Sequence, residues 1–232
     1  MGLDLYARIE GYLDFEDEVR ALHRAFLKII FEKGLDNILD VGCGQGAFLI
    51  HLNANGINSF GIDLSQEQIN ICQQRGLENV ACMPLEKVTK QYDCATAIFD
   101  VINYIPATEL SRFLQSMNLV LNQGGTFVFD VNSLFGFEEV AQGTLAIDCD
   151  DKFIAIDANF EDQQLQTDIT LFSQNQQGDF TKEQDTIVQY YYEPTFLKSA
   201  LNEAGFDVEE IINFNLHVDE QSDKLIFICK KQ

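Results

Sequence analysis

The apolar positions in the first part of the chain change period several times. Between residues 16 and 33 they recur at helical spacing and Gly34 follows, which predicts a helix that ends at this glycine. Downstream, short apolar runs alternate with segments of helical spacing. The runs that predict strands lie at residues 37–41, 59–63, 79–83, 93–99 and 126–131. The segments that predict helices lie at residues 47–52 and 65–75, and in a stretch with Leu110, Phe113, Leu114, Met117 and Leu121 on one face that ends at Gly124-Gly125.

This alternation of strands and helices predicts an α/β fold. Parallel strands joined by right-handed helical crossovers form a sheet that is covered by helices on both faces. In such a sheet, ligands bind at the carboxyl ends of the strands. Ser65 and Gln68 also have the spacing of a capping box, which predicts where the second of these helices begins.

The pattern changes after Val131. Between residues 144 and 192 helical spacing is almost absent, and apolar and polar residues alternate at 165–171, which predicts an antiparallel meander with strands at 152–161, 165–174 and 180–191. The last part of the chain predicts a helix that starts at Pro194 and ends before Gly205. Two strands, at 207–214 and 224–230, follow it. We therefore predict a core in residues 1–133, an inserted antiparallel β cap in 134–193, and a return to the core in 194–232.

Composition and charge narrow the possible partners. The 232 residues carry a formal net charge of −22, with 46% hydrophobic residues and a sequence pI near 4.2. This acidity argues against binding to nucleic acid or to an anionic membrane, and no segment has the length and apolarity of a membrane-spanning helix. The six scattered cysteines form no C-x-x-C pair, which is typical of buried thiols in a cytoplasmic protein rather than of a disulfide framework or a metal site.

A glycine-rich segment, DVGCGQG at residues 40–46, follows the first predicted strand and precedes a helix. Glycines at such a turn permit positive φ and let a ligand approach the backbone closely. Asp63, about 20 residues on at the end of the next strand, can accept hydrogen bonds from ribose hydroxyls. The combination predicts a nucleoside-bearing cofactor. Gly42, Gly44 and Ala47 also satisfy the relaxed dinucleotide pattern, so these residues leave a nicotinamide cofactor open.

Four segments resemble the ordered motifs of the class I S-adenosylmethionine-dependent methyltransferases. They are ILDVGCGQG at 38–46, FGIDLS at 60–65, YDCATAIFD at 92–100 and LVLNQGGTF at 119–127. The resemblance covers nearly the whole chain and implies a Rossmann-like, seven-stranded, mostly parallel sheet with an antiparallel last strand and a β insertion after the fifth strand. It also implies S-adenosylmethionine as the cofactor.

The resemblance implies roles for individual residues around the cofactor. Asp63 would hold the ribose and Leu64 would lie against the adenine. Where family members often have an acidic or amide residue for the adenine amine, this chain has Ala81-Cys82-Met83, so the backbone of Cys82 and Met83 would have to serve. The residues expected around the methionine part and the reactive methyl are Asp40, Gly42, Cys43, Gly44, Gly46 and Phe99.

The segment after the fourth strand should face the transferable methyl group. We predict Asp100, Asn103 and Tyr104 as catalytic or acceptor-positioning residues; the substrate-binding candidates are Tyr12, Asp130, Asn132 and Tyr191. The inserted cap resembles that of small-molecule N-methyltransferases and predicts a small acceptor. Residues 138–223 contain 20 acidic and 3 basic side chains, which favours a neutral or cationic acceptor such as an amine. An NAD-dependent oxidoreductase and a cofactor-binding protein without turnover remain the alternatives.

Overall fold

Two β-sheets organise the chain. A computed structural model describes residues 3–175, 177–216 and 221–232. The larger sheet has seven strands in the order β10-β11-β5-β4-β1-β2-β3, and the smaller has four in the order β6-β7-β8-β9. The strands of the larger sheet are β1 (Asn37–Val41), β2 (Asn58–Asp63), β3 (Val80–Cys82), β4 (Tyr92–Ala97), β5 (Leu121–Asn132), β10 (Phe206–Phe214) and β11 (Lys224–Lys231). The strands of the smaller sheet are β6 (Gly143–Cys149), β7 (Lys152–Glu161), β8 (Gln164–Gln174) and β9 (Phe180–Tyr190).

The larger sheet is parallel except at one strand. β11 runs antiparallel to both of its neighbours, β5 and β10, whereas the pairs among β1 to β5 are all parallel. This arrangement confirms the predicted fold class, including the antiparallel last strand and the β insertion after the fifth strand. The strand order reverses direction between β1 and β4, so the carboxyl ends of these two strands flank the crevice where ligands bind in such sheets.

Helices pack on both faces of this sheet and on its end. They are α1 (Leu3–Ile9), α2 (Glu16–Lys33), α3 (Ala47–Ala54), α4 (Gln66–Gln74), α5 (Ala107–Leu119) and α6 (Pro194–Glu203). The predicted helix at 16–33 is confirmed, with Gly34 at φ 63° as its left-handed cap. Buried apolar side chains form one cluster on each face of the sheet, including Phe127 and Phe129 on one face and Phe26 and Phe48 on the other. None of the helices within the described ranges is long and apolar enough to cross a membrane.

Two predictions about element boundaries were wrong. α5 ends at Leu119 instead of continuing to Gly124-Gly125, because Leu121 already pairs with Tyr92 as the first residue of β5. Gly124, at φ 70°, therefore lies inside the strand, where the register with β4 shifts. The second error concerns the smaller sheet, which has four strands, not three. The missed strand, β6, is an edge strand of the smaller sheet, and most of its residues are exposed.

The smaller sheet and α1 form a third apolar cluster over the end of the core. We call the smaller sheet the cap. Leu5 and Ile9 of α1 pack with Ile154, Ile169, Leu171 and Ile187 of the cap, and Tyr104 of the core lies against this cluster. The sequence pattern did not predict α1, because a helix of seven residues is too short to show a clear period. Its position matters because it brings residues 3–12 to the carboxyl ends of the core strands.

Candidate active site

The glycine loop, residues 42–46, connects β1 to α3. Gly42, Gly44 and Gly46 have φ values of 72°, 51° and 76°, all in the left-handed region that favours glycine. A Cβ on Gly42 would lie 2.7 Å from Val101 Cγ2, and a Cβ on Gly46 would lie 3.0 Å from Cys72 Sγ. A Cβ on Gly44 would meet nothing within 4 Å. The loop is therefore packed behind Gly42 and Gly46 and open in front of Gly44, as a backbone that receives a ligand must be.

Asp63 ends β2 beside this loop. Its carboxylate accepts hydrogen bonds from the backbone N–H of Gly44 at 2.9 Å and from that of Ser65 at 2.8 Å. Burial raises the pKa of Asp63, and these backbone bonds oppose the rise. The carboxylate is half-buried and joins the glycine loop to the start of α4. An aspartate held in this way fits the predicted contact with the ribose of a nucleoside cofactor.

Ser65 caps α4 as predicted, but only half of the capping box forms. The Ser65 hydroxyl accepts from the Gln68 backbone N–H at 3.2 Å. The side chain of Gln68 does not return to the Ser65 N–H, which donates to Asp63 instead. The side-chain oxygen of Gln68, Oε1, is buried and has no hydrogen-bond partner within the part of the chain that the structure describes.

The residues predicted for the adenine lie at the tips of β2 and β3. Leu64 is 55% exposed, so it offers the apolar surface on which a base can stack. The Cys82 thiol is exposed and donates to the carbonyl of Leu64 at 3.5 Å. The N–H of Met83 donates to the carbonyl of Asp63 at 3.0 Å, so it is already engaged within the protein. The structure thus brings these residues together, with Met83 in a supporting position.

Asp40 and Cys43 lie behind the glycine loop. Asp40 is 2% exposed, and its Oδ1 accepts from the Thr96 hydroxyl at 2.7 Å across β1 and β4. Any contact with the methionine part of a cofactor would therefore run through the backbone of the loop. The buried thiol of Cys43 lies 3.9 Å from the carbonyl oxygen of Gly44, and the Cys72 thiol donates to the same oxygen at 3.1 Å. Both thiols support the loop from the protein side.

The buried carboxyl of Asp40 predicts a pH-dependent stability. Burial raises its pKa from 3.8 to about 7, so the folded state retains a proton that the unfolded chain loses near pH 4. Its contribution to the free energy of unfolding therefore falls as pH rises from about 4 to 7. Asp40→Asn removes this titration. We expect urea unfolding to show that, between pH 5 and pH 8, the free energy of unfolding of the variant rises by roughly 1 to 3 kcal/mol relative to that of the wild type. A difference that does not change with pH would contradict this assignment.

A strained turn follows β4. Phe99 and Asp100 have φ values of 62° and 57°, a conformation that costs a non-glycine residue about 1 kcal/mol or more. The carboxylate of Asp130, at the end of β5, accepts from the N–H of Phe99 at 2.7 Å and from that of Asp100 at 3.2 Å. Asp130 is 0% exposed, so it holds this left-handed turn from beneath. The predicted contact between Asp130 and substrate does not fit this placement.

Lys224, which the sequence analysis did not single out, lies at the centre of this region. Its ammonium group contacts Asp100, and it lies 2.9 Å from Asp130 Oδ2 and 2.9 Å from Asn132 Oδ1. Lys224 is 4% exposed. Burial lowers the pKa of the Lys224 ammonium and raises the pKa of the Asp130 carboxyl. Gln189 of the cap donates to the second oxygen of Asp100 at 3.1 Å. The sequence feature that could have indicated this role is a lysine at the start of a mostly buried strand, because a buried lysine needs charged or polar partners.

Asn103 and Tyr104 follow the turn in a short helix, Val101–Tyr104. Asn103 is 0% exposed, and its amide donates to the carbonyl of Tyr190 at 2.8 Å and accepts from the N–H of Asn132 at 3.0 Å. It therefore links the core to the cap. Tyr104 is half-buried under α1 and the cap, and burial, followed by the charges of Tyr6 and Glu10, raises the pKa of its phenol.

The two remaining predicted substrate residues lie apart from this group. The ring of Tyr12 is 37% exposed, and Lys152 Nζ of the cap lies 5.5 Å from its centroid. Tyr191 is buried in a separate cluster with Phe137, Ala158 and Leu165. No group of three or more metal-ligating side chains occurs among the residues with described positions.

The glycine loop, Asp63 and the crevice at the reversal of strand order define the class of protein. The fold and this site are those of the class I S-adenosylmethionine-dependent methyltransferases. Residues 12–211 match a family described as methyltransferase domain, and the chain belongs to this family. The predicted superfamily, activity and cofactor are thereby confirmed, whereas the nicotinamide alternative has no support from the family match.

Individual relatives agree with this assignment. A protein of Geobacillus sp. (strain WCH70), named as a candidate methyltransferase, is 26% identical over 218 residues, with 88% of each chain covered. An S-adenosylmethionine-dependent methyltransferase of Clostridium acetobutylicum has a similar structure, with a TM-score of 0.76, 21% identity, and 98% of this chain and 96% of that chain covered. The sugar N-methyltransferase KedS8 of Streptoalloteichus sp. has a TM-score of 0.75 at 19% identity, with 99% and 92% covered.

Proposed function

We propose that this methyltransferase transfers the methyl group of S-adenosylmethionine to the nitrogen of a small amine. One observation carries the proposal: the cap and α1 cover the carboxyl ends of the core strands, and Tyr104 packs against their apolar cluster. A site that is covered in this way admits a small molecule more readily than a macromolecule. The likeness in fold to a sugar N-methyltransferase and the acidity of residues 138–223 support an amine as the acceptor.

The residues around the cofactor have distinct tasks in this proposal. Gly44 presents its backbone to the methionine part, while Gly42 and Gly46 allow the loop to pack closely behind it. Asp63 accepts hydrogen bonds from the ribose hydroxyls, and Leu64 supports the adenine beside Cys82. Asp40 and Cys43 hold the loop in place from the protein interior. The left-handed turn at Phe99 then forms the wall of the site next to the reactive methyl.

The reaction needs positioning more than acid–base chemistry. S-adenosylmethionine supplies an electrophilic methyl group on a positively charged sulfur. The lone pair of the amine nitrogen forms the new C–N bond while the S–C bond breaks and its electrons stay on sulfur. The nitrogen must therefore be uncharged at that moment, and the product amine later releases a proton to solvent. Orienting the nitrogen in line with the S–C bond is the main contribution that the protein makes.

Tyr104 and Asp100 are the groups that we assign to acceptor positioning. Because the pKa of Tyr104 is raised, its phenol keeps its proton at neutral pH and acts as a hydrogen-bonding group, not as a base. Asp100 is fixed by Lys224 and Gln189, so its carboxylate has a defined orientation. Asn103 contributes by fixing the short helix that carries Tyr104 between the core and the cap.

The proposal is tested by a screen with labelled S-adenosylmethionine. The acceptors are aminosugars and small primary and secondary amines, each paired with its hydroxyl counterpart. We expect methyl incorporation into one or more amines and little into the paired hydroxyl compounds. Incorporation only into hydroxyl compounds would contradict the choice of nitrogen. Cofactor binding without incorporation into any compound would favour a protein that binds the cofactor without turnover.

A further inference from the structure

Gln45 connects the glycine loop to the N-terminal segment, the name that we give to residues 3–12. This segment consists of α1 and the short 3₁₀ helix Glu10–Tyr12. The side-chain amide of Gln45 donates to the backbone carbonyl of Ala7 at 3.0 Å and to the carboxylate of Glu10 at 2.9 Å. Both N–H groups of the amide are therefore used by partners in the N-terminal segment. We call these two hydrogen bonds the closing contact.

The oxygen of the same amide faces Arg75, the residue that follows the last turn of α4. Arg75 donates to Gln45 Oε1 at 2.7 Å and to the backbone carbonyl of Gln45 at 3.0 Å. A guanidinium only donates hydrogen bonds, whereas a carboxylate and a carbonyl only accept them. The three partners therefore require a side chain with both a donor and an acceptor at its tip. Glutamine has both, and an ionised glutamate has only acceptors.

The N-terminal segment contacts the core at a second point, near the start of α4. There the Ser65 hydroxyl donates to the carboxylate of Asp4. Ser65 directly follows the two residues that we assign to the ribose and the adenine, and Gln45 directly follows Gly44, which we assign to the methionine part. The two contacts therefore lie at opposite ends of the proposed cofactor site, and the segment runs between them.

The two sides of α1 are held in different ways. Its side towards the cap is apolar, since Leu5 and Ile9 pack with the cap strands. On its side towards α4 there is a cleft of about 370 Å³. The cleft has a polar lining, which consists of Asp4, Arg8, Gln66, Glu67 and Asn70. The segment thus meets α4 through polar, loosely packed contacts, and contacts of this kind open at a low cost in free energy.

We propose that Gln45 is a positioning residue that holds the N-terminal segment closed over the bound cofactor. S-adenosylmethionine enters and S-adenosylhomocysteine leaves when the closing contact breaks and the segment moves away from α4. Gln45 thereby controls how long the cofactor stays in its site, although its side chain is directed to the segment and to Arg75. This inference uses the cofactor position assigned above and does not depend on the acceptor, so it can fail while transfer to an amine stands, and the reverse.

The test compares Gln45→Glu with the wild type in the binding of S-adenosylhomocysteine. The substitution keeps the size of the side chain and the acceptor for Arg75, but it removes both donors and places a second carboxylate beside Glu10. Surface plasmon resonance on the immobilised protein measures both rate constants. We expect the dissociation rate to rise about 10-fold or more, because the lost contact includes a hydrogen bond to a charged group. The association rate should rise about threefold, because an open segment blocks entry less often.

The double variant Gln45→Glu with Glu10→Gln exchanges the donor and the acceptor of the closing contact. The amide then stands at position 10 and the carboxylate at position 45, so one hydrogen bond re-forms and the net charge equals that of the wild type. The dissociation rate should return to within about threefold of the wild type. A direct effect of the carboxylate at position 45 on the cofactor would persist in the double variant, so this variant distinguishes the two causes.

Proteolysis provides a readout that needs no cofactor. Arg8, in α1, is the only lysine or arginine among the first 19 residues. Trypsin cleaves after this residue when the segment leaves its place, so the cleavage rate reports the population of the open form. We expect Gln45→Glu to be cleaved after Arg8 about fivefold faster than the wild type, and S-adenosylhomocysteine to slow the cleavage of the wild type. Mass spectrometry identifies the fragment.

Gln115→Glu is the matched control. It makes the same chemical change on the exposed face of α5, where the Gln115 amide lies 3.4 Å from the Ser111 hydroxyl. Both rate constants and the rate of cleavage after Arg8 should stay within about twofold of the wild type.

Three outcomes would overturn the inference. If Gln45→Glu behaves like Gln115→Glu in all three measurements, the N-terminal segment does not control access to the cofactor site. If only the dissociation rate of Gln45→Glu rises, with the association rate and the cleavage unchanged, Gln45 binds the cofactor itself. If the double variant dissociates as fast as Gln45→Glu and both have a lower melting temperature, Gln45 only stabilises the fold.

Discussion

The Asp63→Ala variant should bind S-adenosylhomocysteine at least about 100-fold more weakly than the wild type. The Asp63 carboxylate accepts from the Gly44 N–H, so its loss frees the loop at the point where the ligand would meet the backbone. In the proposed site, the variant would also lose the hydrogen bonds from the ribose hydroxyls to Asp63. Hydrogen bonds to a charged group contribute about 1.5 to 3 kcal/mol each, and two such bonds correspond to 100-fold or more in Kd.

Calorimetry with the purified protein measures this effect directly. Asp93→Ala is a suitable control, because Asp93 lies near the amino end of β4, at the opposite end of the parallel strands from the glycine loop, and its carboxylate accepts from Asn122 at 2.8 Å. We expect the control to keep the affinity of the wild type within about twofold. An Asp63→Ala affinity within threefold of the wild type would show that the ribose is held elsewhere.

Lys224→Met should lower the free energy of unfolding by about 3 to 5 kcal/mol. Methionine fills a similar volume but provides no charge, so the carboxyl groups of Asp100 and Asp130 remain in the interior without their common cation. Removing one partner of a buried ionic group typically has a cost of this size. The left-handed turn at Phe99 and Asp100 depends on the same group, so the variant should also lose methyl-transfer activity.

The pH dependence of this loss gives a second readout. Without the ammonium, the buried carboxyls favour their protonated forms in the folded state more strongly than in the unfolded chain. The folded variant is therefore relatively more stable at low pH, and its deficit against the wild type should be larger at pH 8 than at pH 5.5 in urea unfolding.

Two further variants make the interpretation specific. Lys230→Met replaces a half-buried lysine of the same strand that lies outside this group. The free energy of unfolding of this variant should stay within about 0.5 kcal/mol of that of the wild type. The double variant Lys224→Met with Asp130→Asn should recover part of the loss, because one buried charge is removed while an acceptor for the Phe99 N–H remains. If Lys224→Met unfolds like Lys230→Met, the buried ionic group does not stabilise the fold.

Local patterns account for the parts of the site that could be predicted. The glycine loop and Asp63 are visible because positive φ values demand glycine and because β2 must end where its carboxylate meets the loop. Leu64, directly after that strand, was predicted from the resemblance to the methyltransferase family. These residues lie within about 25 positions of one another, and a single strand–loop–helix–strand unit brings them together.

Other features depend on contacts between distant parts of the chain. Lys224 meets Asp100 and Asp130 only after β11 inserts between β5 and β10, and no local pattern indicates that contact. Ala7 and Glu10 accept from Gln45 only because the N-terminal segment folds against the glycine loop. The same reasoning explains the misplaced substrate residues: the alternation that predicts strands does not show which face of the cap Tyr191 occupies or that Asp130 lies beneath a turn.

The sequence by itself determined the class of fold, the order of its elements and the cofactor loop, because periodicity and glycine conformation act over short stretches of chain. Only the tertiary structure decided which side chains meet at the turn after β4. Those positions are set by packing and by buried charges, which must find their partners across the sheet, the cap and the N-terminal helix regardless of their separation in sequence.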